Sequence, residues 1–263
     1  MSATIHPPEP GPGPALITGA SGGIGAATAR RMAAAGRDVA LHAHRNARAA
    51  ESLAAELEAI GVRAAVLTAD LTDRAQARDL VPRAIEALGD LEVLVNNAGI
   101  DVRRPTYIGE YDEELWDRML AIHLTAPYLT VRSALPGFVA RGGGAIVTVS
   151  SIAGVVAWPG NSGYNAAKAG VINFTRTVAT EFADRGVRAN CVCPGIIDTP
   201  MSRDYINAAD DPVAAEREAN SAQPMGRMGT PDEIAQAIVF LASPAASFIT
   251  GTTVEIDGGF LAI

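Results

Sequence analysis

Short apolar runs alternate along this chain with longer stretches in which apolar residues recur at helical spacing. The runs fall at residues 14–18, 39–42, 62–67, 91–95, 145–149, 187–193 and 252–256. Each is short and mostly apolar, as expected of strands buried on both faces. Between them, 26–35, 47–60, 73–88, 111–139, 162–183 and 231–242 carry the helical pattern, with Pro82 interrupting the third. Strand and helix in strict alternation predict an α/β fold, a doubly wound parallel sheet flanked by helices on both faces. No linker divides the chain, so residues 14–263 form a single domain behind a proline- and glycine-rich leader at 1–13, expected to be flexible. In such a sheet ligands gather at the carboxyl ends of the strands. Gly19, Asp70, Asn97, Ser151 and Pro194 all fall there.

Composition narrows the function classes. Of 263 residues, 48% are hydrophobic and 19% charged, which suits a compact enzyme rather than a disordered chain. The net charge of -8 argues against nucleic acid, whose phosphates need a basic face. No run approaches the length of a membrane span, and the start lacks the basic and apolar regions of a signal peptide. The expectation is a cytoplasmic protein with no membrane partner. Cys191 and Cys193 are read as small core residues on opposite faces of a strand, unable to bridge, and too few for a metal site. No metal is expected.

The first strand runs into Gly19-Ala20-Ser21-Gly22-Gly23-Ile24-Gly25 and then a helix. Glycines there let the backbone approach a pyrophosphate, and the free N–H groups of the helix start bind it. Alone, the same pattern also reads as a tight turn. Further on, Tyr164 and Lys168 are four residues apart, which on a helix stacks them on one face. An ammonium beside a phenol favours phenolate, drawing the tyrosine pKa from about 10 towards neutrality and fitting it for proton exchange. An isolated pair of this kind reads equally well as a core-edge tyrosine and a solvated lysine. Ser151 ends an apolar strand thirteen residues before Tyr164, and the loop with Trp158, Pro159 and Gly160 lets it turn back.

Taken together, Thr18-Gly19-x-x-x-Gly23-x-Gly25, Asn96-Asn97-Ala98-Gly99, Ser151, Tyr164-x-x-x-Lys168, Pro194-Gly195 and Asp257-Gly258-Gly259 resemble the classical short-chain dehydrogenase/reductases. The resemblance covers about residues 14 to 260. It implies a Rossmann fold and an NAD(P)-dependent oxidoreductase that interconverts a carbonyl and a secondary alcohol. By that resemblance Tyr164 is the general acid/base, Lys168 lowers its pKa and holds the nicotinamide ribose, and Ser151 holds the substrate oxygen. Gly19, Ser21, Gly22, Gly23, Ile24 and Gly25 would cradle the pyrophosphate. Asp70 and Leu71 would meet the adenine, and Asn97, Ala98 and Gly99 the middle of the cofactor. Pro194, Gly195, Ile197 and Thr199 would orient the nicotinamide. The family's fourth catalytic position, usually asparagine, holds His123. There the helix is expected to kink and expose a carbonyl to a water linked to the lysine. His123 replaces asparagine structurally or joins the proton relay, since histidine titrates near neutral pH.

A carboxylate some 20 positions after the glycine turn marks NAD binding. None stands between Val39 and Ala50. Arg45, with His44 and Asn46, is placed to pair with a 2′-phosphate, so NADP(H) is favoured over NAD(H). Gly22 counts the other way, since many NADPH-dependent relatives carry a basic residue there. The substrate wall is expected from 101–107, 152–162 and 201–225, with Trp158 and Met201 against the substrate. Arg103 and Arg104 are available to an anion, and residues 199–226 resemble a polar, irregular, mobile lid. The reading is a ketone or 3-oxoacyl reductase, small-molecule and homotetrameric. Its alternatives are an NAD-dependent sugar or polyol dehydrogenase, a catalytically silent scaffold, and an extended-class epimerase, which typically has a longer C-terminal substrate domain.

Overall fold

The computed structural model describes residues 12–100 and 105–263. Most of the leader, and Arg103 with Arg104, lie outside the described residues. Seven parallel strands form one sheet in the order β3-β2-β1-β4-β5-β6-β7. They are β1 (Ala15–Ile17), β2 (Val39–Ala43), β3 (Ala64–Thr68), β4 (Val93–Asn96), β5 (Gly144–Val149), β6 (Val187–Pro194) and β7 (Thr253–Ile256). The order reverses between β1 and β4, which opens a crevice of the kind in which such sheets bind ligands.

Alternation within each strand sends side chains to two cores. Ala15 and Ile17 join Met32, Leu57 and Ile238, from α1 (Gly23–Ala34), α2 (Ala47–Glu58) and α9 (Pro231–Ala242). Leu16 joins Leu80, Leu129 and Val178 on the other face. Those come from α3 (Arg74–Leu88), α5 (Ala126–Ala140) and α6 (Ser162–Phe182). The third helix survives Pro82 because Ser133 Oγ, from α5, donates at 3.0 Å to the Arg78 carbonyl that the proline leaves unbonded.

Three expectations need correction. Cys191 and Cys193 do not face opposite ways: a two-residue period returns them to one face, where both pack with Ile172. Both are buried free thiols. The segment after β6 is not irregular, for it holds α7 (Pro200–Asn207) and α8 (Pro212–Ser221). Each starts at a capping side chain followed by proline: Thr199 accepts from Ser202 N–H and Asp211 from Ala214 N–H.

The single long helix expected at 111–139 is α4 (Glu113–Leu120), a π-turn at Ala121–Thr125, and α5. Pro127 has no N–H to close the ordinary bond to the His123 carbonyl. The chain widens there, and Ala126 N–H bonds the Ala121 carbonyl five residues back. At the described start, Gly13 donates its N–H to Glu92 Oε2 (2.6 Å) while its carbonyl accepts from Arg37 (2.6 Å). No helix among the described residues is long and apolar enough to cross a membrane.

Candidate active site and cofactor cleft

The glycine turn is held from three sides. Gly19 has φ +68°, and a Cβ there would lie 2.8 Å from Ala98 Cα, so only glycine fits. Asn97 Nδ2 donates to the Thr18 and Gly19 carbonyls at 2.9 and 3.1 Å. Thr18 Oγ1 accepts from the Asn97 and Ala98 amides. The Asn96-Asn97-Ala98-Gly99 run therefore acts partly by building the turn opposite it. The Gly19 N–H goes to His42 Nδ1 at 3.0 Å, a contact the sequence reading did not anticipate.

The start of α1 is prepared for an anion. Its N-cap is Gly22, no side chain caps it, and its first turn carries no acid. The opening N–H groups are thus free for phosphate oxygens. A Cβ on Gly22 would find nothing nearer than Pro200 Cγ at 4.0 Å, so the approach is open. A cleft of about 580 Å³ starts at the turn and follows the flank of α1 between α2 and the start of α9, lined among others by Ser21, Gly22, Arg30, Glu56 and Asp232, and it reaches none of Asp70, Asn97, Ser151, Tyr164 or Lys168. Thr199 packs beside Gly23, which brings the chain after β6 to the turn after β1. The turn and the uncapped start of α1 fit the pyrophosphate of a dinucleotide.

On the adenosine side, Asp70 Oδ1 accepts from the Thr72 amide and hydroxyl at 2.9 and 2.7 Å. Those bonds hold its carboxyl below the usual carboxylate range. His44 Nε2 lies 3.7 Å from Asp70 Oδ2. Arg45 is exposed and in no ion pair among the described residues. Asn46 spends its side-chain oxygen capping α2, accepting from Ala49 N–H at 3.3 Å.

The candidate catalytic residues Ser151, Tyr164 and Lys168 sit where β5 ends against α6. Ser150 Oγ donates to the Lys168 carbonyl at 2.8 Å, and a Cβ on Gly154 would meet that same carbonyl. Ser151, just after the strand, is thereby stitched to the helix that carries Tyr164 and Lys168. Ser151 Oγ accepts from Ala153 N–H at 3.1 Å, which leaves its own proton to donate to a substrate oxygen. Lys168 is 5% exposed, donates to the Val149 carbonyl at 2.7 Å, and stands 5.5 Å from the Tyr164 ring centroid. Burial pushes its pKa down to about 8.

His123 packs edge-on against Tyr164, ring centroids 4.9 Å apart. Its Nε2 lies 2.8 Å from the Ile100 carbonyl and 3.3 Å from the Ile100 amide nitrogen, and the shorter contact favours a proton on Nε2 that donates to the carbonyl. Nδ1 is then an acceptor, buried and without a partner among the described residues. Burial, and then the nearby Lys168 charge, keep the imidazole well below its usual range and neutral. The ring fits because Gly99 lacks a Cβ, which would come within 2.5 Å of His123 Cε1. Of the two residues expected to face a substrate, Trp158 stacks on Phe260 at 5.7 Å and Met201 is 41% exposed. Among the described residues no group of three or more His, Cys, Asp or Glu side chains is placed to hold a metal ion.

Beyond His42, the sequence reading missed Phe260 and the Val149 carbonyl. Phe260 carried one available signal, an aromatic directly after the Asp257-Gly258-Gly259 turn. Asp257 accepts from the Gly259 and Leu261 amides and so sets that turn.

A family model described as enoyl-(acyl carrier protein) reductase matches residues 19–261. The chain is 42% identical over 250 residues to a cis-4-hydroxycyclohexanecarboxylate dehydrogenase of Sinomonas cyclohexanicum, spanning 95% of this chain and 96% of the relative. It is 38% identical over 246 residues to a 3-oxoacyl-[acyl-carrier-protein] reductase of Thermotoga maritima, spanning 94% and 96%. A 4-formylbenzenesulfonate dehydrogenase of Comamonas testosteroni is 42% identical over 245 residues, spanning 93% and 96%. Near-complete matches of this kind, on a chain that carries the glycine turn and the Ser151, Tyr164 and Lys168 positions, have one conclusion: it belongs to the classical short-chain dehydrogenase/reductases, NAD(P)-binding oxidoreductases that act on an alcohol or its carbonyl.

Proposed function

We propose that this enzyme is an NADPH-dependent reductase of a ketone or 3-oxoacyl group, with Ser151, Tyr164 and Lys168 as its catalytic residues. The observation that carries the catalytic part is the buried Lys168 ammonium beside the Tyr164 ring, next to a serine whose proton is free to donate. The nicotinamide, when bound, supplies the hydride to the carbonyl carbon. Ser151 Oγ–H donates to the carbonyl oxygen and stabilises the charge that gathers there. Tyr164 gives that oxygen its phenolic proton, and the Lys168 charge stabilises the phenolate left behind. Lys168 also holds the nicotinamide ribose, and the α1 amides hold the pyrophosphate.

His123 acts as a neutral acceptor, its Nδ1 taking a hydrogen bond from a water shared with Lys168 rather than carrying a proton itself. His123→Asn is expected to lower kcat less than about tenfold, because the backbone carbonyl remains, and to move no apparent pKa between pH 6 and 8. A displaced pH profile would return His123 to a proton-carrying role.

The preference for NADPH rests on Arg45, exposed and unpaired beside His44, and on the absence of a carboxylate at the end of β2. Titration followed by nicotinamide fluorescence should show NADPH bound about tenfold or more tightly than NADH, with Arg45→Ala removing the difference. Preference for NADH would overturn this assignment. It would favour a second reading, an NAD-dependent dehydrogenase of a ring alcohol, for which the Trp158–Phe260 stack offers a flat apolar wall. Two relatives are named for ring compounds. The reading includes a homotetramer, since Phe240 and Phe248 are left exposed on the single chain and need cover; a monomeric mass by light scattering would remove it.

A further inference from the structure

His42 lies in β2, where it opens the His42-x-His44-Arg45 run, and its imidazole joins the Gly19 turn to the Ala69 turn. It is 2% exposed. Its Nδ1 accepts the Gly19 N–H at 3.0 Å, and its Nε2 lies 3.1 Å from the Ala69 carbonyl. The partners fix the tautomer: an amide N–H faces Nδ1 and a carbonyl faces Nε2, so the ring is neutral with its proton on Nε2. Gly19 opens the phosphate turn, and Ala69 directly precedes Asp70 and Leu71. Backbone bonds run in parallel, Ala20 N–H to the His42 carbonyl (2.8 Å) and Ala69 N–H to the Ala43 carbonyl (3.2 Å). With Asn97 Nδ2 on the Gly19 carbonyl, both sides of that residue are clamped by side chains.

We propose that His42 is a positioning residue for the adenosine half of the cofactor, its imidazole holding the Gly19 turn and the Ala69–Asp70 turn at a fixed separation. This rests on the assignment of those turns to the cofactor. A buried donor stripped of its acceptor is costly, so the Gly19 amide without His42 turns to seek another partner and the cradle loses its shape. Protonation has the same effect, because imidazolium sets an N–H against the Gly19 N–H. The charged and titratable groups acting on the ring are His44 and Arg83, which oppose protonation, and Asp70, which favours it. Burial is the strongest influence and keeps the ring neutral to below the usual histidine range.

The test is fluorescence titration of the full-length protein with NADPH and with NADH, for the parent, His42→Leu and His42→Asn. Leucine fills the space but accepts nothing; asparagine places an amide oxygen where Nδ1 stood. His42→Leu should weaken binding of the preferred nucleotide about tenfold, and His42→Asn should recover it to within about threefold. At saturating nucleotide, kcat of both variants should stay within about twofold of the parent. In the parent, affinity should weaken as pH falls through the region below the usual histidine range where the His42 ring takes up a proton, and His42→Asn should lack that component of the loss. Parent affinity in the leucine variant, or a loss that asparagine does not repair, overturns the role of His42. A parent that binds neither nucleotide overturns the cofactor assignment itself, a distinct result.

Discussion

Tyr164→Phe should reduce kcat by about a thousandfold or more, with nucleotide binding within about threefold of the parent. Phenylalanine keeps the ring that packs edge-on against His123 and lies 5.5 Å from the Lys168 ammonium, so the wall of the site is preserved. Only the hydroxyl is lost. Reduction then leaves an alkoxide with a hydrogen bond from Ser151 and no proton to take, and oxidation lacks the base that would remove the alcohol's proton. General acid/base catalysis is worth about 10²–10⁴ in rate, and here the same oxygen also helps seat the substrate. The comparison is steady-state turnover of a ketone by both proteins, beside a nucleotide titration of each. A phenylalanine variant that keeps more than a tenth of the parent rate would remove Tyr164 from the acid/base role. Loss of nucleotide binding as well would make the damage structural.

Much of this architecture is written locally. The strands are short apolar runs, and the observed β5 and α9 lie within one residue of the runs expected from periodicity. Helix starts are marked by Asp73, Thr199, Asp211 and Thr230, each a capping side chain in the structure. The same rule, applied to Thr199-Pro200 and Asp211-Pro212, would have placed the two helices after β6 that the polar composition of the segment concealed. The π-turn had its signal too, in Pro127. What no local pattern carries is the pairing of distant polar groups. His42 meets Gly19 and Ala69 across three strands, and Thr18 reaches Asn97 and Ala98 seventy-nine and eighty positions away. In sequence His42 is one polar residue in an apolar run. Its use appears only once the strand order β3-β2-β1 puts the two turns on either side of it. The Tyr164–Lys168 pair was legible because it lies on one helix, whereas the Lys168 bond to the Val149 carbonyl needed the packing of α6 on β5.

Lys168→Met should cost activity about a hundredfold while leaving the cofactor-free protein at least as stable as the parent at pH 7. Both halves follow from one buried ammonium. Its charge is what would favour the Tyr164 phenolate, so a thioether in its place removes that support and starves the acid/base step. The same charge is expensive to hold out of water. Burial lowers the Lys168 pKa from 10.5 to about 8, which corresponds to a penalty on the order of 3 kcal/mol for the charged form. Methionine relieves that penalty and gives up the bond to the Val149 carbonyl, a loss of about 1–3 kcal/mol. The pH dependence fixes the sign. Below about pH 8 the lysine is protonated in both folded and unfolded chains, and the parent bears the full penalty. Between about 8 and 10.5 the unfolded chain holds the proton more tightly than the folded one, so the parent gains stability as pH rises. Methionine has no such step. Denaturant unfolding of both proteins at pH 7.5 and pH 10 should therefore show the difference moving towards the parent by roughly 2–3 kcal/mol. A constant difference would mean that Lys168 is not desolvated in solution. In that case the charge beside Tyr164 would be screened by water, and the case for a lysine-activated tyrosine would weaken with it.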